Sequence, residues 1–378
     1  MGRNVLAWWV PQIGDEERAR VLKVLESTFL NDGEVTTQFE QRLAELLGIK
    51  HVVAVTSGTA AIFLALASLG VGPGDEVIVP DVTFIATANA VSLTGATVVL
   101  VDIDPKTMTM DPEAFARAIT LRTKAVIPVH VSGRAADLTA ILNIARAHGI
   151  HLVEDAAEAL MSQFKGRALG TYGMLGCLSF SPQKLITMGQ GGAILTNDDR
   201  LHTRLRELKD QGRPVRGTGG DDAHPSVGYN FKLTNLQTAV GLGQLGSLPT
   251  RLLQMQETYR RYTKGLQGVQ GINLFPFHLD EGESPQWIDA LADDRDGLDR
   301  YLLEHGAQCR RFWFPLHTQA PYREADDRFP QSTRCAPKAL WLPSALTLSA
   351  DDIARVCQTI IEFCQLRRTG FSPAGVRG

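Results

Sequence analysis

Residues 51–70, HVVAVTSGTAAIFLALASLG, join two patterns that decide the fold. The first five, HVVAV, form a short apolar run rich in β-branched residues, as a buried strand requires. The remainder, TSGTAAIFLALASLG, sets small hydroxyl and glycine residues ahead of an apolar helical segment. Strand, tight turn and buried helix are the unit from which α/β sheets are built, with ligands expected at the C-terminal ends of the strands.

The same alternation continues outward. Strands are predicted at 51–55, 76–80, 97–103, 124–130, 151–156, 177–181 and 192–196, enough for one seven-stranded sheet. Between them lie helix signals. Asp111 is an N-cap with Pro112 at the first helical position, and Asp137 opens a helix that closes at Gly149. After Leu248 the texture changes. Residues 249–266 read as one long helix, followed by a strand in PQWIDALA, a helix in RDGLDRYLLEHG and a final helix in SADDIARVCQTIIEFCQ. The expected organisation is α/β: a large domain, 1–248, with a mostly parallel sheet, and a small α+β domain, 249–378. The second includes the connecting helix and a frayed tail, RRTGFSPAGVRG.

Composition bounds the partners. The 378 residues are 44% hydrophobic, enough for a large core, and the net charge of −3 carries no basic footprint for nucleic acid. The five cysteines are odd in number, scattered and without CxxC spacing, so neither a disulfide framework nor a metal site is expected. The sequence holds no long apolar signal segment and no run of roughly 18 uncharged apolar residues. A soluble, cytoplasmic protein acting on small molecules is the expectation.

Three elements at strand ends carry chemistry. SGT, residues 57–59, offers backbone N–H groups and the positive end of a helix dipole to a phosphate. VEDAAEA places Glu154, Asp155 and Glu158 after a strand that otherwise reads as buried, and a buried carboxylate asks for a cation, from a basic side chain or a protonated ring nitrogen. SFSPQKLITMGQGG sets Ser179 and Lys184 at a strand-to-loop junction before a glycine-rich turn, well placed for a Schiff base.

These motifs, in order with STFLNDGEVTTQFEQRLAELLG, VGPGDEVIVPDVTFIATANAV, GYNFKLTNLQTAVGLGQL and WLPSALTLSADDI, resemble the DegT/DnrJ/EryC1/StrS family of sugar aminotransferases. The resemblance spans nearly the whole chain and implies a pyridoxal-phosphate enzyme of the fold type I, aspartate aminotransferase-like class. By it, Lys184 bonds to pyridoxal 5′-phosphate (PLP) and then shuttles the proton, with pyridoxamine 5′-phosphate formed in the cycle. Asp155 pairs with the pyridine nitrogen, and Glu158 lies by the ring hydroxyl. Gly58, Thr59, Ala60 and Ser179 hold the phosphate, Phe84 stacks on the ring, and Asn230 reaches the phosphate from a neighbouring subunit of a homodimer or larger assembly.

The resemblance further implies ping-pong transfer of an amino group from L-glutamate, or glutamine, to a keto-sugar on a nucleotide diphosphate. The tone of the motifs is most similar to enzymes that aminate C4 of 4-keto-6-deoxy sugars. Arg213, Arg216, Arg311 and His317 are candidates for gripping the substrate. Three segments depart from the commonest pattern: Gln190 in the GQGG turn, SPQ before the lysine, and HVSGR, which leaves Arg134 as an unexplained charge. Amination at C3, a ketocyclitol acceptor, and a catalytically idle binding protein on the same fold remain alternatives.

Overall fold

The computed structural model describes residues 5–214 and 223–368. The tail expected to fray, from 369 on, lies outside them, as does Arg216. In chain order the helices are α1 (Asp15–Ser27), α2 (Glu34–Leu47), α3 (Gly58–Ser68), α4 (Ala86–Leu93), α5 (Pro112–Ala118), α6 (Leu138–His148), α7 (Asp199–Lys209), α8 (Asn235–Gly265), α9 (Arg295–Glu304), α10 (Pro330–Cys335) and α11 (Ala350–Arg368). The strands are β1 (His51–Val55), β2 (Glu76–Pro80), β3 (Thr97–Val101), β4 (Thr123–Val126), β5 (His151–Asp155), the short hairpin β6 (Gln163–Phe164) and β7 (Arg167–Ala168), then β8 (Leu175–Ser179), β9 (Gly192–Thr196), β10 (Ile272–Leu274), β11 (Asp289–Ala292), β12 (Arg310–Arg311) and β13 (Ala339–Trp341).

All seven expected strands of the large sheet form, in the order β1-β9-β8-β5-β4-β2-β3. Only β9 runs against its neighbours, β1 and β8. The C-terminal ends of the other strands therefore share one edge, and β9 starts there. Helices cover both faces, so the strands read as continuous apolar runs. Helix α3 is itself buried from Ala60 to Leu66. The helices opened by Asp111 and Asp137 form as expected, each N-cap carboxylate accepting a backbone N–H in the first turn.

The long helix differs from expectation. It starts at Asn235, not Pro249, behind a capping box in which Thr234 and Gln237 satisfy each other's backbone. Pro249 lies inside it, so the expected domain boundary falls within a continuous helix. Glycines hide its first half from a propensity reading, and packing explains two of them: a Cβ on Gly241 would stand 2.2 Å from Met188 Cε, and one on Gly243 would stand 2.8 Å from Glu17 Cγ and 3.1 Å from that residue's backbone nitrogen. Helix α1 crosses at backbone contact distance.

A second, four-stranded sheet, β10-β11-β13-β12, follows α8. The amino-terminal segment comes alongside, Leu6 forming an isolated bridge with Ala307 ahead of β12. Arg134, unexplained in the sequence, fastens this sheet to the large one. It is 1% exposed and makes two 2.7 Å bonds to the two carboxylate oxygens of Asp289, while Phe275 and Phe277 lie against its guanidinium at 4.8 and 4.9 Å. Removing one partner of such a buried pair costs about 3–5 kcal/mol, because the other charge is left without compensation. The five cysteines are buried free thiols. No helix among the described residues is long and apolar enough to cross a membrane.

Candidate active site

The strand ends open into a cavity of about 390 Å³, within the size range of small-molecule sites. One end of it is the start of α3. Ser57 is the N-cap, in extended conformation, and its hydroxyl accepts the Ala60 N–H at 3.1 Å. Ala60 thus spends on the cap the N–H that the sequence offered to a phosphate, and it does not line the cavity. The N–H groups of Gly58 and Thr59 precede the first intrahelical bond, so the helix itself cannot satisfy them. Both residues line the cavity with Ser57 and Ser179. This corner closes at backbone contact: a Cβ on Gly58 would meet Ser179 Cβ at 2.9 Å, and one on Gly192 would meet the Ser57 carbonyl oxygen at 2.3 Å.

Across the cavity, β5 delivers the carboxylates. Strand alternation sends Glu154 and Asp155 to opposite faces. Glu154 is structural: it accepts N–H groups from Gly170, Tyr172 and Gly173 at 2.6–2.8 Å and meets His130 Nε2 at 3.0 Å. Asp155 faces the cavity, accepting from Thr87 Oγ1 at 2.7 Å and the Ala157 N–H at 3.1 Å. Glu158 accepts the Ser132 N–H at 3.0 Å and pairs with Lys184 Nζ at 3.2 Å. Burial pushes both Asp155 and Glu158 above the ordinary carboxylate range, opposed at Asp155 by the Thr87 and Ala157 hydrogen bonds and then by the Lys184 charge, and at Glu158 first by Lys184. Ser132 holds a left-handed backbone, φ 54°, and its hydroxyl accepts the Trp341 indole N–H at 2.9 Å. The HVSGR departure therefore serves to aim an N–H at Glu158.

Lys184 rides on the loop between β8 and β9. Indole N–H groups of Trp9 and Trp287 donate to the Pro182 and Gln183 carbonyls, each at 3.2 Å, and Gln286 accepts the Leu185 N–H at 3.1 Å. Residues far away in the chain thus fix the SPQK turn. The lysine amine lies 4.8 Å from the Trp287 ring centroid.

The structure gathers Lys184, Asp155, Glu158, Gly58, Thr59, Ser179 and Phe84 around this one cavity, with Gln190 beside them. Phe84 is 53% exposed there. The other candidates lie elsewhere. His317 is fully buried, its Nδ1 2.6 Å from Asp81 and its ring stacked on Phe329; it ties the carboxyl-terminal half to the end of β2 rather than facing the cavity. Arg311 turns outward to Asp296 and Asp299. Arg213 approaches Asp210 at 3.9 Å outside the lining. Asn230 is exposed and does not line the cavity of its own chain.

Sequence reasoning missed Thr87, Trp287, Trp313, Trp341 and Arg310, all of which line the cavity. Thr87 alone carried a local signal, one helical turn beyond Phe84.

An anion-accepting helix start, a buried carboxylate suited to a cationic ring nitrogen, and a single lysine between them form a donor set that fits PLP. The comparisons agree. GDP-perosamine synthase of Caulobacter vibrioides is 37% identical over 92% of this chain and 95% of its own. Among solved structures, S. venezuelae DesV, in complex with a ketimine intermediate, superposes with a TM-score of 0.87 at 34% identity, covering 93% of this chain and 94% of its own. DesI, in the presence of its TDP-sugar product, superposes at 0.89 with 30% identity, covering 98% and 95%. The model of the DegT/DnrJ/EryC1/StrS aminotransferase family matches residues 11–361, and the chain belongs to that family.

Proposed function

We propose that this aminotransferase moves the amino group of L-glutamate onto the keto carbon of a sugar carried on a nucleoside diphosphate, at C4 of a 4-keto-6-deoxy sugar. The observation that carries the reading is the convergence of Lys184, Glu158 and Asp155 with the start of α3 in one cavity. The nucleotide-sugar acceptor is supported by relatives named GDP-perosamine synthase and by DesI with its TDP-sugar product.

Bound PLP supplies an electron sink for the carbon that gains or loses nitrogen. The residues of the chain do the rest. The N–H groups of Gly58 and Thr59 and the Ser179 hydroxyl hold a phosphate at the positive end of α3. Asp155, buried at the end of β5, retains a proton on the ring nitrogen by pairing with it. Lys184, held by Glu158, would serve as the base at the donor carbon in the first half-reaction and as the acid at the keto carbon of the acceptor in the second, the proton being carried by the loaded cofactor between the two. The tryptophan wall excludes water from that exchange. Asn230 serves the phosphate of a second copy, which makes the working unit a homodimer or larger.

The cofactor's visible absorption reports the first half-reaction. Adding L-glutamate to the loaded protein is expected to replace the long-wavelength band with that of pyridoxamine phosphate, and a 4-keto-sugar nucleotide is expected to restore it. A spectrum unmoved by glutamate and by glutamine overturns the reading in favour of an idle binding protein.

A further inference from the structure

Gln286 is 4% exposed and does not line the cavity, yet its side chain reaches both peptide groups beside Lys184. Its Oε1 accepts the Leu185 N–H at 3.1 Å, and its Nε2 donates to the Gln183 carbonyl at 3.4 Å. These peptide groups flank the Lys184 Cα, so one carboxamide spans the residue whose amine works in the cavity. The indole N–H of the neighbouring Trp287 donates to the same Gln183 carbonyl at 3.2 Å. A buried amide without partners is costly, and this one uses both of its ends.

The backbone of Gln286 leads to the tip of the same lysine. Its N–H donates to the Ser132 carbonyl at 2.8 Å. The Ser132 N–H donates to Glu158 Oε2 at 3.0 Å, and Glu158 Oε1 lies 3.2 Å from Lys184 Nζ. The contacts close a ring that runs from the lysine backbone through the side chain and backbone of Gln286 to Ser132, Glu158 and the lysine amine. Close packing keeps this ring from slackening: a Cβ on Gly133, φ 100°, would stand 2.1 Å from the Ser284 carbonyl oxygen and 3.2 Å from the Gln286 nitrogen. The pair of Arg134 with Asp289 fastens the same two segments just beyond.

We propose that Gln286 is a positioning residue that holds the Lys184 amine against Glu158. Its effect on rate rests on the aminotransferase reading above; its hold on the amine rests on geometry alone. A long, flexible side chain returns to one place only if its Cα and its tip are both fixed. Glu158 fixes the tip, Gln286 fixes the Cα, and Ser132 ties the two together. The same contacts set the direction of the carboxamide, since exchanging its oxygen and nitrogen would point a donor at the Leu185 N–H and an acceptor at the Gln183 carbonyl.

The first measurement needs no activity. Cofactor-free wild type, Gln286→Met and Gln286→Glu are treated with limiting acetic anhydride, and acetylation of each lysine is read by peptide mass spectrometry. The half-exposed Lys50 and Lys338 serve as internal references. Methionine keeps the length and loses both bonds, so Lys184 acetylation should rise several-fold against the references as the amine leaves Glu158. Glutamate keeps the acceptor for the Leu185 N–H and should restore part of the protection. Lys184 labelled as in wild type overturns the proposal. In the cofactor-loaded enzyme, Gln286→Met should lower the maximal rate of both half-reactions by about 10²-fold, the scale of a misplaced reacting group. KM for L-glutamate and for the sugar nucleotide should move by less than about threefold. A raised KM at unchanged kcat makes Gln286 a substrate contact, a lowered melting temperature at unchanged kcat makes it a packing residue, and either overturns the proposal. Tryptophan fluorescence as in wild type shows that a variant is folded; should Gln286→Met fail this, Gln286→Glu carries both measurements, with Lys184 labelling still above wild type. Wild type inert toward every donor overturns the transfer reading, while the labelling still decides the place of Gln286.

Discussion

Alanine in place of Lys184 is expected to reduce amino-group transfer by about 10⁴-fold, the upper range for loss of a positioned proton-transfer group. The lysine is the single amine among the residues lining the cavity, so no neighbour can take over its proton. The substitution also leaves Glu158 buried against the Ser132 N–H without its cation. Borohydride reduction followed by mass spectrometry should fix the cofactor covalently to wild type and not to the variant. A Lys184→Ala protein that turns over at the wild-type rate would contradict the assignment.

Asp155→Asn is expected to weaken cofactor binding and slow the glutamate half-reaction, together by about 10²–10³-fold, the equivalent of losing one partner of a buried ion pair. The shape is kept, so the loss reports charge. In the cofactor-free protein, burial holds the Asp155 carboxyl above its ordinary range. Pairing with a ring N–H requires the ionised form. Cofactor affinity should therefore fall as pH drops through that raised value, at higher pH than for an ordinary aspartate, and the Asp155 share of this acid limb should vanish in Asp155→Asn. Titrating apoenzyme with cofactor across pH measures it. Glu158, raised in the same direction, leaves a residual limb. An asparagine variant with the wild-type pH profile would show that Asp155 does not hold the ring nitrogen.

The large sheet was readable because each buried strand is a short apolar run closed by turn residues, and this survives without knowledge of neighbours. The strand order was not, since nothing in GAILT says that β9 inserts between β1 and β8. Helix α8 was half read: its first half carries Gly243, whose meaning lies in the approach of α1. Of the residues lining the cavity, Lys184, Asp155, Glu158 and Ser179 were legible because each lies at or shortly after a strand end. The tryptophan wall comes from segments more than a hundred residues away, and only packing brings Trp8, Trp287 and Trp341 under Lys184 and Arg310. Arg310 and Arg311 are identical in the sequence text; one residue of register decides which meets the cavity. His317 read as a site histidine and is instead the buried partner of Asp81.

The decisive measurement is the fate of nitrogen. Purified, cofactor-loaded protein is incubated with nitrogen-15-labelled L-glutamate and a panel of GDP-, TDP- and UDP-linked 4-keto-6-deoxy sugars, and the products are resolved by mass spectrometry and NMR. The expected result is label at C4 of one sugar nucleotide, with 2-oxoglutarate formed in equal amount. Glutamate left intact and no labelled sugar from any member of the panel would contradict it.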